Sequence, residues 1–209
     1  MSTQAATAAA RRSRITPERE RELYAAVLDL LREGGYEAVT MEGVAARTRC
    51  GKATLYRQWK TKAQLVTAAL GSSRCVFFGG IDTGSLAGDL REAARVAGDR
   101  SLRDPELMEA VGQAYLQYPE LRTALRETVI GPEVAALDGI LARAVARGEL
   151  AADHPALAHV APCFLGMLRV EGLFEERFGG SGGLAGFVDS VLLPALGVRA
   201  PGGPERPSR

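Results

Sequence analysis

The sequence predicts an all-α protein in two parts, and three observations predict it. Apolar residues recur at three- and four-residue spacing along most of the chain, and no segment alternates apolar and polar with period two. The breaks between segments fall at glycine, proline and short polar clusters, which end helices. In the first third, two short helical segments are joined by a tight turn containing glycine, the helix-turn-helix arrangement. The expected architecture is an N-terminal three-helix domain with that motif, followed by a larger helical domain, about nine helices in all.

Composition narrows the class. The 209 residues are 46% hydrophobic and 24% charged, enough apolar surface to bury a core and offset chain entropy. No uninterrupted apolar run approaches the ~20 residues of a bilayer span. The stretch from Leu157 to Val170 is broken by His159, Pro162 and Arg169. Ala5 to Ala10 is too short for a secretory signal and is followed by Arg11, Arg12 and Arg14. Cys50, Cys75 and Cys163 stand at unrelated spacings, neither a disulfide framework nor a zinc motif. A cytoplasmic, soluble protein with no membrane partner is expected.

Taken in order, residues 1–14 read as a mobile basic arm. Thr16-Pro17-Glu18 starts the first helix, with Thr as N-cap, Pro at the first helical position and a carboxylate in the first turn. Leu23, Val27, Leu30 and Leu31 form its buried stripe, and Gly34-Gly35 closes it. Thr40 caps a second, short helix to about Arg47, with Val44 and Ala45 facing inward. Thr48-Arg49-Cys50-Gly51 breaks the pattern, Lys52 to Trp59 resumes it, and a longer helix runs from about Lys62 toward Val76.

Further helices are expected over about Leu86–Asp99, Pro105–Gln117 and Pro119–Arg147, the last closed by Gly148. Another opens at Asp153-His154-Pro155 and runs to Phe178. After Gly179 to Gly183, a last apolar helix spans Leu184 to Leu196, and residues 200–209 form a disordered tail. The domains expected are therefore 15–62 and 63–199, flanked by the arm and the tail.

Charge is uneven along this frame. Residues 1–62 hold 12 Lys and Arg against 7 Asp and Glu, a surplus of five, whereas the remainder carries a deficit of four. The three lysines, Lys52, Lys60 and Lys62, lie within eleven residues of one another. A basic first third on a near-neutral chain points to a polyanion partner for that third alone. In a helix over 52–59, Leu55 and Trp59 stand about 40° apart and form an inward stripe. Ala53 and Arg57 stand together on the other side, with Tyr56 between. The outward face thus mixes a small residue, a hydroxyl, an aromatic ring and cations. Such a mixture suits a major groove, where guanidinium reads guanine and hydroxyl and ammonium groups hold phosphates.

These residues carry a resemblance. Gly34-Gly35-Tyr36, Thr40, Val44-Ala45-Ala46-Arg47 and above all Lys52-Ala53-Thr54-Leu55-Tyr56-Arg57-Gln58-Trp59, with Lys62 opening a long helix, resemble the TetR family of one-component transcriptional regulators. The match covers about residues 17–66. Beyond it the chain is similar to the family only in length and helical character. Two positions depart from the pattern: Cys50-Gly51 replaces the usual apolar residue and side-chain cap, and Trp59 replaces the usual Phe.

The resemblance implies that Thr40, Lys52, Tyr56 and Lys62 contact phosphates, that Ala53, Thr54 and Arg57 face base edges, and that Arg49 on the turn reaches the backbone. Competing roles are an ordinary half-buried aromatic for Tyr56 and an intramolecular ion pair for Arg57. It further implies a repressor that binds a palindromic double-stranded operator as a homodimer and is released by a small-molecule effector. Candidate effector contacts are Phe77, Phe78, Met108, Tyr115, Tyr118, His159, Cys163 and Met167, a set poor in charge that suits a largely apolar ligand. Plain core packing is the commoner role for each, as for a Met or aromatic at helical spacing in general. Leu165, Leu168, Val188, Val191 and Leu192 are the dimer-interface candidates.

Two other classes compete with this reading. A helical enzyme is disfavoured, since no phosphate-cradling glycine loop, nucleophile elbow or metal set is present in the sequence and no cofactor is implied. His159 and Cys163 stand four apart, but two ligands do not make a metal site. A helical ligand-binding or scaffold protein without DNA binding is the remaining alternative, with Gly51 its best support.

Overall fold

The computed structural model describes residues 15–73, 78–98, 104–170 and 183–198. The N-terminal arm, Cys75, Phe77, the segment 171–182 and the C-terminal tail lie outside the described residues. Every regular element among the described residues is helical. No described helix is long and apolar enough to cross a membrane.

The first helix, α1 (Pro17–Ala38), begins as its residues dictate: the Thr16 hydroxyl accepts the Arg19 amide at 3.3 Å, and Pro17 occupies the first turn. Its backbone leaves helical geometry at Gly34 and Gly35, the latter at φ 70°, where a side chain would be strained. Tyr36 to Ala38 make a last turn, closed by the Val39 amide donating to the Tyr36 carbonyl at 3.2 Å. Then follow α2 (Met41–Thr48), α3 (Lys52–Gln58), α4 (Lys62–Ser73), α5 (Leu86–Gly98) and α6 (Pro105–Gln117).

The single helix expected over Pro119–Arg147 is instead divided into α7 (Pro119–Leu125), a π-helical segment (Arg126–Ile130) and α8 (Gly131–Ala146). Next come α9 (Leu157–Val170), α10 (Gly183–Phe187), a second π segment (Val188–Leu192) and α11 (Leu193–Ala195). Each π segment ends two residues before a proline, Pro132 or Pro194. A proline has no N–H for the carbonyl four residues back and its ring crowds that carbonyl, so the regular ladder gives way there.

The chain forms two compact units. The first takes α1–α4 together with α6, α7 and the first π segment. Its core gathers Leu23, Val27, Leu31, Val44, Leu55, Leu65, Val66, Leu107 and Leu121, all buried. Within it α1 packs on α4 and α6, while α4 also meets α7. Arg32 joins α1 to the cap of α6 through Asp104 at 2.7 Å. The second unit takes α5 and α8–α11 around Phe78, Leu86, Leu90, Leu137, Ile140, Phe164 and Leu184. Phe78 and Phe164 meet edge to face at 5.3 Å. Packing thus places α6 and α7 with the N-terminal helices, whereas the sequence boundary at 62 assigns them to the C-terminal region.

Candidate nucleic-acid interface

The interface is built on α2, the turn and α3. Thr40 caps α2, its hydroxyl accepting the Gly43 amide at 2.9 Å. At the other end the Arg49 amide reaches the Ala46 carbonyl at 3.3 Å and the Cys50 amide reaches that of Ala45 at 2.9 Å. This pair of bonds closes the helix when the intervening residue is left-handed. That residue is Arg49, at φ 52°, and not Gly51, which is extended at φ −68°. A side chain in this conformation costs about 1 kcal/mol relative to glycine. The turn contains its glycine, but its left-handed residue is an arginine, whose exposed side chain stands at the motif's corner.

Gly51 begins α3 without a side-chain cap. Only seven residues long, α3 is held by what it buries. Leu55 is fully buried, and Trp59 at its end is buried against Tyr24 with ring centroids 5.7 Å apart. The phenol of Tyr24 donates to Glu20 at 2.8 Å, and burial first, then that carboxylate, pushes its pKa upward. With Leu55 and Trp59 inside, Lys52, Ala53, Arg57 and Gln58 are exposed, Thr54 is half-buried, and Tyr56 keeps 47% of its surface. Lys52 lies 3.5 Å from Glu42, tying the start of α3 to α2. Thr40, Arg49 and Lys60 are exposed as well. Cys50 is half-buried beside the first core.

Lys62 has a different setting. It is half-buried, and its ammonium donates to the Tyr36 carbonyl at 3.0 Å while lying 3.9 Å over the Tyr36 ring. Desolvation lowers its pKa, opposed by Glu37 and Glu120. Its ammonium is thus engaged by the end of α1. The fourth helix starts at Lys62 as the sequence predicts, but sequence reading did not name its capping residues: the Thr61 hydroxyl accepts the Gln64 amide at 3.2 Å and the Gln64 side chain accepts the Lys60 amide at 3.0 Å. The signal was present: Thr-x-x-Gln ahead of an apolar run is a capping box.

The family model for bacterial regulatory proteins of the tetR family matches residues 23–69, the stretch that contains this helix-turn-helix. A second model, the tetracyclin repressor-like C-terminal domain, matches residues 81–191. The chain belongs to the TetR family. An uncharacterized HTH-type transcriptional regulator of Mycobacterium tuberculosis is 33% identical to it over 187 residues, covering 85% of this chain and 88% of that protein. The DNA-binding transcriptional repressor TetR of Mycobacteroides abscessus is 32% identical over 176 residues, covering 82% and 90%. A solved transcriptional regulator from Pseudomonas aeruginosa PAO1 shares the fold at TM-score 0.69 and 20% identity, covering 88% and 94%. This TetR-family protein is accordingly a transcriptional regulator with a DNA-binding helix-turn-helix.

The effector candidates fall in both units. Met108, Tyr115 and Tyr118 belong to the first unit; Phe78, His159, Cys163 and Met167 belong to the second, and Phe77 lies outside the described residues. Phe78 is buried core, His159 and Cys163 are exposed, and the others are half-buried. Neither of two surface depressions includes any of them: one is lined by Arg19, Asp29, Arg47 and Arg49 among others, the second by Leu141, Val145 and Leu157.

The dimer candidates divide too. Val188 and Leu192 are buried in the second core, four apart on the stripe that begins at Leu184. Filling their own unit, they offer a partner no surface. Leu165 and Leu168 are half-buried, and Val191, one position off that stripe, is 49% exposed.

Proposed function

We propose that this TetR-family regulator is a repressor, binding a palindromic operator as a homodimer and leaving it when a small, largely apolar molecule binds the helices between residues 63 and 199. The observation that carries the reading is the outward face of α3, with Leu55 and Trp59 buried behind it. Thr40, Arg49, Lys52 and Tyr56 would hold phosphates, and Ala53, Thr54 and Arg57 would meet base edges, so position and sequence are read by different side chains.

One module of residues 15–62 spans a few base pairs, and affinity with site selection requires a second copy related by two-fold symmetry. Apolar surface at Leu165, Leu168 and Val191 supports an interface on α9 and the second π segment. A relative named as a DNA-binding transcriptional repressor favours repression over activation. Release follows if the effector favours a dimer whose α3 helices no longer match grooves ~34 Å apart. Met108, Tyr115, Tyr118 and Met167 keep partial exposure beside the cores and remain the effector contacts to probe. The reading assigns this protein no catalytic role.

Selection from a random duplex pool with the purified protein tests it. The expected product is an inverted repeat whose half-sites lie about one helical turn apart, bound by two chains and weakened steeply by salt. A direct repeat, or one bound chain by light scattering, overturns the homodimeric reading; no enrichment at low salt overturns operator binding.

A further inference from the structure

We infer that Lys62 is a positioning residue of the helix-turn-helix, fastening the start of α4 to the carbonyl end of α1, and not one of its phosphate contacts. The inference rests on the operator-binding reading above. It begins from a deficiency in α1, which has no basic residue in its last turn. Carbonyls at a helix C-terminus carry partial negative charge and favour a nearby cation. Lys62 supplies one from 26 residues away, its ammonium 3.0 Å from the Tyr36 carbonyl. That carbonyl also accepts the Val39 amide, so both its lone pairs are used.

Two aromatic rings flank the ammonium, and Lys62 is half-buried. The Tyr36 ring lies 3.9 Å below the ammonium and the Tyr118 ring 5.9 Å away. The two rings pack together at 4.6 Å, and Tyr118 donates to Glu37 at 2.5 Å, joining the α6–α7 corner to the same last turn of α1. The Tyr36 hydroxyl is buried with no hydrogen-bond partner. An aromatic buried at that cost is held for packing, and the ammonium is the charge packed against it.

What the fastening governs is the recognition helix. Between Trp59, buried beside Tyr24, and Lys62 lie only Lys60 and Thr61. The exit of α3 is thus pinned at two points three residues apart, one apolar and one ionic. Releasing the second lets α4, and with it the pitch of α3, drift relative to α1.

Lys62→Met, which keeps an unbranched apolar stem without the charge, separates the roles when compared with Lys52→Ala over 50–200 mM salt. Removing a phosphate contact lowers the slope of log affinity against log salt by about 1. Lys52→Ala is expected to do so. Lys62→Met is expected to weaken operator binding about tenfold with its slope unchanged. Tyr118→Phe, which alters no charge, is expected to weaken binding in the same direction with its slope also unchanged.

Hydrogen exchange on the free protein reads the fastening without DNA. Amides of residues 36–39 and 62–66 should exchange several-fold faster in Lys62→Met. A slope lowered by one, undiminished operator affinity, or unaltered exchange in these two segments each overturns the inference. Failure of the wild type to bind any duplex would instead remove the operator reading, leaving exchange to decide the fastening.

Discussion

The two units bury similar kinds of side chain, yet they use their surfaces differently. In the first, short helices are capped, turned and pinned by local polar chemistry: Thr16, Thr40 and Thr61 cap, Arg49 turns, and Lys62 ties α4 to α1. The α3 surface that results is cationic and hydroxylated. In the second unit, α9 carries a single charged residue along Leu157–Val170, and Val191 stays exposed beside buried Val188. A polar, pre-shaped face suits a polyanion, and an apolar face with little charge suits a second protein surface.

That contrast can be broken or sharpened, beginning with the largest expected effect. Phe164→Ala removes one ring of the edge-to-face pair in the second core and should cost about 3–5 kcal/mol in chemical denaturation. Leu55→Ala should cost about 2–5 kcal/mol in the first. Separate transitions for the two variants would mean that the units unfold independently; one shared transition would mean they do not.

Within the second unit, Val188→Ala should cost about 1.5–3 kcal/mol because that side chain is fully buried. Val191→Ser should leave the melting temperature nearly unchanged while shifting sedimentation toward the monomer. An unchanged sedimentation profile would move the proposed interface off the second π segment.

On the first unit's surface, Arg57→Ala should lose about 1–3 kcal/mol of discrimination at one base pair. Tyr56→Ala should weaken all duplexes alike. Equal losses on operator and scrambled DNA for Arg57→Ala would make it another phosphate contact.

The smallest effect concerns the turn itself. Arg49→Gly should raise stability by about 1 kcal/mol, since glycine accepts φ 52° without strain, while binding weakens through loss of a cation. A variant both more stable and equally tight would show that the Arg49 charge does not reach DNA.

Legibility in the sequence followed the range of the forces involved. Thr16, Thr40 and Gly35 announce helix ends through bonds to residues two to five positions away, and the Leu55–Trp59 stripe follows from helical spacing alone. Even so, a tight turn containing glycine did not reveal which of its residues is left-handed: propensity favours glycine, while the closing bonds fall on Arg49. The effector candidates shared only residue type and helical spacing, and they divided between two cores that spacing cannot distinguish.

By itself, the amino-acid order determined an all-helical chain, a helix-turn-helix with one face turned outward, and membership of a regulator family. Those properties arise from short-range bonds and from periodicity, which need no knowledge of distant neighbours. Only the tertiary structure decided that α6 and α7 pack with the N-terminal helices, that Val188 is interior while Val191 is surface, and that Lys62 faces a carbonyl 26 residues earlier. Each depends on which apolar stripes meet across long stretches of chain, and many stripes of similar width would satisfy the same local rules.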